Sequence, residues 1–200
     1  MNEKMAMDEL QFIKKIIEDS KSAIVYNGKD YIVWGTLVTF GLLLDYSAYV
    51  FKLNINFILF WAVIIGIGWI FSFFSYRKRK IEYTPKTFSG KILGGVWLAA
   101  GTAMTIVGFI GIPSGAVPGQ SVSAVMSVFL GMAFMVSGFI HNETWMKFLP
   151  IGWWIGAVYM FYFPGIHTVF VMALMLFCFQ VIPGTYFYQK YKKEIEKNHE

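Results

Sequence analysis

The chain has 200 residues, of which 56% are apolar and only 14% charged, where a soluble domain carries about 25% charged residues. That balance excludes an ordinary water-soluble globule, and the net charge of +5 excludes little until it is located along the chain. A single cysteine, Cys178, excludes an intramolecular disulfide and leaves the redox compartment unread.

Segment 1–28 opens with an amphipathic pattern. Leu10, Phe12, Ile13, Ile16, Ile17 and Ile24 recur at three- and four-residue steps, with Gln11, Lys14, Glu18, Asp19 and Lys21 opposite them, the spacing of one helix face. Asp8 with Gln11 three residues on fits a capping box, and Asn27-Gly28 supplies a stop. Acids near the start and the lack of a cleavage site argue against a secretory signal. A helix that lies on lipid has a Lys/Arg-rich polar face. This one is mixed, with five lysines against six acids over residues 1–30, and suits packing on the bundle's own end or on a protein partner.

Six apolar runs fill 29–188, at about 31–51, 57–76, 90–112, 121–140, 146–163 and 166–188. Each approaches the roughly 20 residues that cross about 30 Å of hydrocarbon, the fifth being the shortest. Lys91 and Lys147 stand at run ends, where they snorkel to the surface. Lys52–Asn56 and Pro164-Gly165 make turns, Pro113 to Gln120 makes an uncharged loop, and a basic tail occupies 189–200. The predicted fold is all-α: an integral membrane bundle of six transmembrane helices preceded by a cytoplasmic amphipathic helix.

Charge sets the predicted orientation. Segments 1–30, 77–91, 141–147 and 189–200 hold sixteen of the seventeen Lys and Arg residues, and Lys52 stands alone on the other side. The positive-inside rule then places both termini in the cytoplasm. Arg77-Lys78-Arg79-Lys80 closes the second run and serves as an orientation signal or as a grip on anionic headgroups. No basic stripe with interleaved aromatics occurs outside the runs, so no nucleic-acid partner is expected.

Small residues predict where helices approach closely. Gly95, Ala99 and Ala103 recur every four residues on the third run, Ser123, Ser127 and Gly131 on the fourth, and Gly152 with Gly156 on the fifth. Such stripes let backbones meet in lipid, so the third, fourth and fifth helices are expected to form the tight part of the bundle. Pro183 is expected to kink the last helix, with Gln180 satisfying a freed backbone group.

Chemistry is sparse. Asp45 is the sole acid inside a run, with Tyr49 one turn on and Lys52 two, and an ionisable group at membrane depth is a candidate site. One reading bonds it to Tyr49 or Lys52 near the interface. The other has it line an outward-facing pocket with Tyr49, Tyr159, Tyr162 and His167. His141-Asn142-Glu143 supplies at most two metal ligands where zinc takes three or more. Capping by Asn142 or Thr144, with Trp145 at the headgroups, is its expected role. Hydrolase, metalloprotease and phosphate-loop motifs are absent. No catalytic residues, metal or cofactor are therefore expected, nor an enzyme.

Ile16-Ile17-Glu18-Asp19-Ser20-Lys21, Tyr31-Ile32-Val33-Trp34-Gly35, Leu149-Pro150-Ile151-Gly152-Trp153-Trp154 and Ile182-Pro183-Gly184 before a basic tail together resemble a family of uncharacterised small bacterial membrane proteins. The resemblance implies a six-helix protein of the bacterial cytoplasmic (inner) membrane with no assigned activity. The expected function is a non-enzymatic regulatory, scaffold or accessory subunit in the lipid bilayer. It would meet a membrane or cytoplasmic protein, or a second copy, through residues 1–25 and 77–91. The alternative is a small-solute binding or transporter component with its pocket near Asp45, a plan similar to the substrate-binding subunits of vitamin-uptake transporters.

Overall fold

The structure is a computed structural model that describes residues 28–81, 88–141 and 143–197, with positions 7, 9–11 and 14 near the start. Most of the amphipathic segment 1–28, and residues 82–87 of the basic loop, lie outside the described residues. Among the described residues all regular structure is helical. The helices are α1 (Lys29–Val50), α2 (Phe57–Ile81), α3 (Phe88–Ile106), α4 (Val122–His141), α5 (Leu149–Tyr162), α6 (His167–Leu176) and α7 (Ile182–Lys197).

Five stretches are long and apolar enough to cross a membrane: Lys29–Val50, Phe57–Arg77, Ser89–Gly111, Gly119–His141 and His167–Lys193. They coincide with five of the six predicted runs. The fifth run does not reach that standard, so five of the six expected spans are shown. Its helix α5 has 14 residues, about 21 Å at 1.5 Å per residue. Pro150 stands at the helix start, Met146 and Lys147 fall in the 3-10 turn Trp145–Lys147 before it, and Pro164 follows it. Two prolines thus bracket the α-helical part of a longer apolar run.

Prolines also explain two widened turns. Val107–Gly111 and Phe177–Val181 are π-helical, and each is followed by an Ile-Pro pair, Ile112-Pro113 and Ile182-Pro183. Proline has no N–H and its ring crowds the carbonyl four residues back. The preceding isoleucine N–H reaches five residues back instead, from Ile112 to Val107 and from Ile182 to Phe177. The first helix then ends. The second continues, so α6, the π turn and α7 form one rod.

Packing is uneven. Half of the apolar window is buried in α4 and in the α6–α7 rod, against 6% in α2 and α3, so the former are inner staves and the latter present most of their surface outward. The most extensive contacts join α4 to α5 and α1 to α6, while α2 leans chiefly on α1 and α3 on α4. Antiparallel neighbours gather the cationic residues Lys29, Arg77, Lys91, Lys147 and Lys190 at one end, the basic end. The turns at 51–56, 112–118 and 163–166 form the far end.

Where α1 meets α7 the two backbones touch. Gly28 adopts φ 59°, a left-handed turn that glycine makes at no steric cost, and a Cβ there would collide with the Gly184 carbonyl oxygen. A Cβ on Gly184 would stand 2.8 Å from Tyr31 Cβ and 2.9 Å from the Ile32 nitrogen. The pair leaves no room for a methyl group on either side.

Candidate functional site: an aromatic core and a dispersed far end

Tryptophan N–H groups bind the helices in sequence. Trp34 of α1 donates to the Ser72 hydroxyl of α2 at 2.8 Å, Trp69 of α2 to Thr105 of α3 at 3.4 Å, and Trp97 of α3 to Ser137 of α4 at 3.0 Å. The Ser127 hydroxyl of α4 then donates to the Trp153 carbonyl of α5 at 2.7 Å. Hydrocarbon offers no competing water, so each indole N–H is best placed on a neighbouring helix. Glycines make space for the rings. A Cβ on Gly68 would lie 2.5 Å from Trp34, one on Gly101 3.4 Å from Trp69, and Gly131 is closed by Trp154.

The rings continue into the core. Tyr31 stacks on Phe134 at 5.6 Å and meets the edge of Trp97 at 5.2 Å, Phe134 stacks on Trp153 at 5.8 Å, and Trp153 meets Phe179 at 5.8 Å. Offset and edge-to-face pairs of this kind add to their burial. At the basic end His141, 2% exposed, stacks on Phe187 at 4.7 Å, and Phe187 stacks on Trp145 at 5.7 Å. Glu143 accepts from Lys190 at 2.7 Å, tying the α4–α5 connection to α7. Of the two expected capping residues, Thr144 makes no side-chain cap and Asn142 lies outside the described residues, while Trp145 packs on Tyr186 and Phe187.

Gln180, 3% exposed, is turned inward by the π turn. Its amide nitrogen donates to the Tyr31 carbonyl of α1 at 3.5 Å, and its amide oxygen has no hydrogen-bond partner. The expectation that it would serve a group freed by Pro183 is replaced by a link between helices. The π turn itself absorbs the proline.

The small-residue positions are divided. Gly152 faces the π turn, where a Cβ would stand 2.8 Å from the Phe179 ring, and Gly156 is closed by Met175 of α6. Ser123 and Ser127 are buried, and Gly131 holds Trp154. The third helix behaves otherwise: Gly95 and Ala99 are exposed and Ala103 is half-buried, with nothing within 4 Å of a Cβ on Gly95. Helix α3 docks instead through the buried Leu93 with Trp97 and Met104, so its stripe lies on the bundle's outer face.

At the far end the candidate polar residues have different neighbours. Asp45 is half-buried beside Trp61 of α2, whose buried N–H meets no hydrogen-bond acceptor among the described residues. Gly41 gives Trp61 its place, a Cβ there lying 3.3 Å from the ring. Helix α1 meets α6 through Tyr46 and Phe170, at 5.8 Å. Tyr159 and His167 are together, with ring centres 6.2 Å apart, while Tyr49 is 64% and Tyr162 79% exposed. A groove of about 250 Å³ lies elsewhere, on the outward face of α5 between Ile151, Trp154, Ile155 and Val158. It is open and lined by apolar groups. Among the described residues no group of three or more His, Cys, Asp or Glu side chains is placed to hold a metal ion.

Comparison with protein-family models, with curated proteins and with solved structures found no match in any of the three. No family is thereby identified for the resemblance noted in the sequence. The chain is a helical protein with five candidate spans, in contact with lipid wherever those spans lie in a membrane.

Proposed function

We propose that the protein is a non-enzymatic accessory or scaffold subunit of a bacterial cytoplasmic membrane, with its basic end in the cytoplasm. The observation that carries this reading is the filled core. From Trp97 through Tyr31, Phe134 and Trp153 to Phe179 the interior is ring against ring, and Ser127 and Ser137 bond to backbone carbonyls. A carrier needs polar groups converging at mid-membrane, whereas Asp45 and His167 are met by different neighbours.

Six crossings with both termini on the cytoplasmic side belong to the same proposal. Segment 145–163 begins beside Tyr186 and Phe187 and ends beside His167. It therefore runs antiparallel to about 20 residues of the α6–α7 rod, roughly 30 Å at helical rise. A short α-helix with a 3-10 lead-in covers the depth that its long neighbour covers. The cation asymmetry supports the direction.

Residues 1–25 and the 77–91 loop are the proposed contacts with a protein partner. Photo-crosslinkers placed in both segments should capture the same membrane or cytoplasmic protein in cells. Deleting residues 1–25 should abolish capture at the 77–91 positions while the protein still inserts; undiminished capture there would refute the role of the first segment. In the solute-binding alternative, one metabolite should raise the melting temperature and Asp45→Asn should remove the shift.

A further inference from the structure

The turn that joins α1 to α2 at the far end departs from the usual chemistry of a loop. Phe51, Leu53 and Ile55 alternate with Lys52, Asn54 and Asn56, and all three apolar side chains are exposed, Phe51 to 74%. Turns in water are built mostly from Gly, Pro and small polar residues. The backbone of this one is also largely self-contained. The Phe51 N–H donates to the Ser47 carbonyl at 2.9 Å, Lys52 to Tyr49 at 3.2 Å, Leu53 to Ala48 at 2.9 Å and Ile55 to Leu53 at 3.1 Å. Lys52 adopts φ 52°, the left-handed position that closes many helix ends. On the other side the Asn56 side chain accepts from the Leu59 N–H at 3.1 Å, capping α2. These bonds lessen the turn's need for water.

Span length gives the turn its depth. Lys29–Val50 has 22 residues and Phe57–Arg77 has 21, about 33 and 32 Å at helical rise, against about 30 Å of hydrocarbon. Residues 51–56 therefore stand at the boundary between acyl chains and headgroups. We infer that turn 51–56 docks in that boundary layer, with Phe51, Leu53 and Ile55 entering the acyl region and Lys52 reaching back to the headgroup phosphates. Lipid is the occupant, rather than a protein, because the apolar surface runs on into faces that lipid already covers. Tyr49 and Val50 before the turn and Ile58 and Leu59 after it are exposed, and only 6% of the α2 window is buried inside the bundle. Interfacial segments seat their apolar side chains about 5–10 Å into this boundary, and a lysine stem can follow them while its charge stays outside. The turn thus anchors α2 at the end opposite its Ser75–Asp30 link. The inference rests on α1 and α2 lying in lipid. It is independent of the partner reading and of which end faces the cytoplasm.

The test uses the full chain in vesicles of phosphatidylethanolamine and phosphatidylglycerol, with nitroxide labels on single cysteines in a Cys178→Ser background. Collision rates with oxygen, which concentrates in lipid, are compared with those of a water-soluble nickel chelate. Leu59→Cys on the exposed face of α2 serves as the lipid reference, and Glu196→Cys, exposed and beyond the candidate spans, as the water reference. At Phe51→Cys, Leu53→Cys and Ile55→Cys the oxygen-to-nickel ratio should approach that of Leu59→Cys and be several times that of Glu196→Cys. Water-like ratios at any two of the three positions would overturn the inference, since the turn would then project into solvent. Low collision rates with both reagents would overturn it too, since a protein partner or a second copy would then cover the turn. If the Phe51→Cys protein fails to insert, Leu53 and Ile55 decide by the same comparison.

Discussion

Trp153 shows what single residues contribute in this bundle. It is wholly buried between Phe134 and Phe179, and in lipid its value comes from close packing rather than from escape from water. Trp153→Ala should therefore cost about 3 kcal/mol, the low end for removing a buried ring, measured by detergent unfolding in mixed micelles. The indole-to-hydroxyl bonds are worth less, because the unfolded chain in a membrane also finds partners. Ser72→Ala and Ser137→Ala should each cost about 0.6 kcal/mol. Gly184→Ala should cost more than either, since its methyl group would meet the Tyr31 Cβ and Ile32 backbone. Neither partner can swing away like a flexible side chain. Lys190→Gln should cost no more than about 1 kcal/mol, its pair with Glu143 being partly open to solvent and so screened.

Single positions were legible in proportion to how little they depend on neighbours. Gly152 and Gly156 announce close approach by spacing alone, and the structure places Phe179 and Met175 against them. Gly95 and Ala99 have the same spacing and are exposed, because a four-residue period gives a helix face without saying which neighbour it turns to. The tryptophan links were hidden for a related reason. Trp34, Trp69 and Trp97 stand 38, 36 and 40 residues before their acceptors, separations set by hairpin length and not by a local motif. Glu143 gives no local sign of Lys190, 47 residues away.

At the scale of the element, the five candidate spans, α1 to α4 and the α6–α7 rod, were legible as apolar runs, because a spanning stretch must be long and uncharged whatever it packs against. Boundaries shifted where polar ends extend a helix past the hydrocarbon, as in α2 to Ile81 and α7 to Lys197. The π turns were only half legible. Pro183 pointed to a disturbed helix, but a wide turn or a bend satisfies the chemistry equally well. The π turn before Ile112-Pro113 shows the same solution at a helix end. Pro183→Ala restores the missing donor and should let Phe177–Val181 return to α-helical bonding. Amide exchange over 177–184 should slow, and Gln180, no longer bulged inward, should lose its bond to the Tyr31 carbonyl. Unchanged exchange in that stretch would show that the π turn does not depend on the proline.

At the scale of the whole molecule, inner staves α4 and α6–α7 carry the core while α2 and α3 lie at its margin. Three paired links retain α2: Trp34 with Ser72, Trp69 with Thr105, and Ser75 with Asp30. A combined Ser72→Ala/Thr105→Ala variant should loosen α2 before the rest, read as selective proteolysis near its basic end while the α4–α5–α6 core stays resistant. The central claim is that segment 145–163 crosses the bilayer despite its 14-residue helix. In a Cys178→Ser background, single cysteines at Lys147 and Pro164 would be labelled with a membrane-impermeant thiol reagent in intact cells and in inverted vesicles. The six-crossing arrangement predicts labelling of Pro164→Cys only from outside and of Lys147→Cys only from the cytoplasmic side. Labelling of both positions from the same side would contradict it.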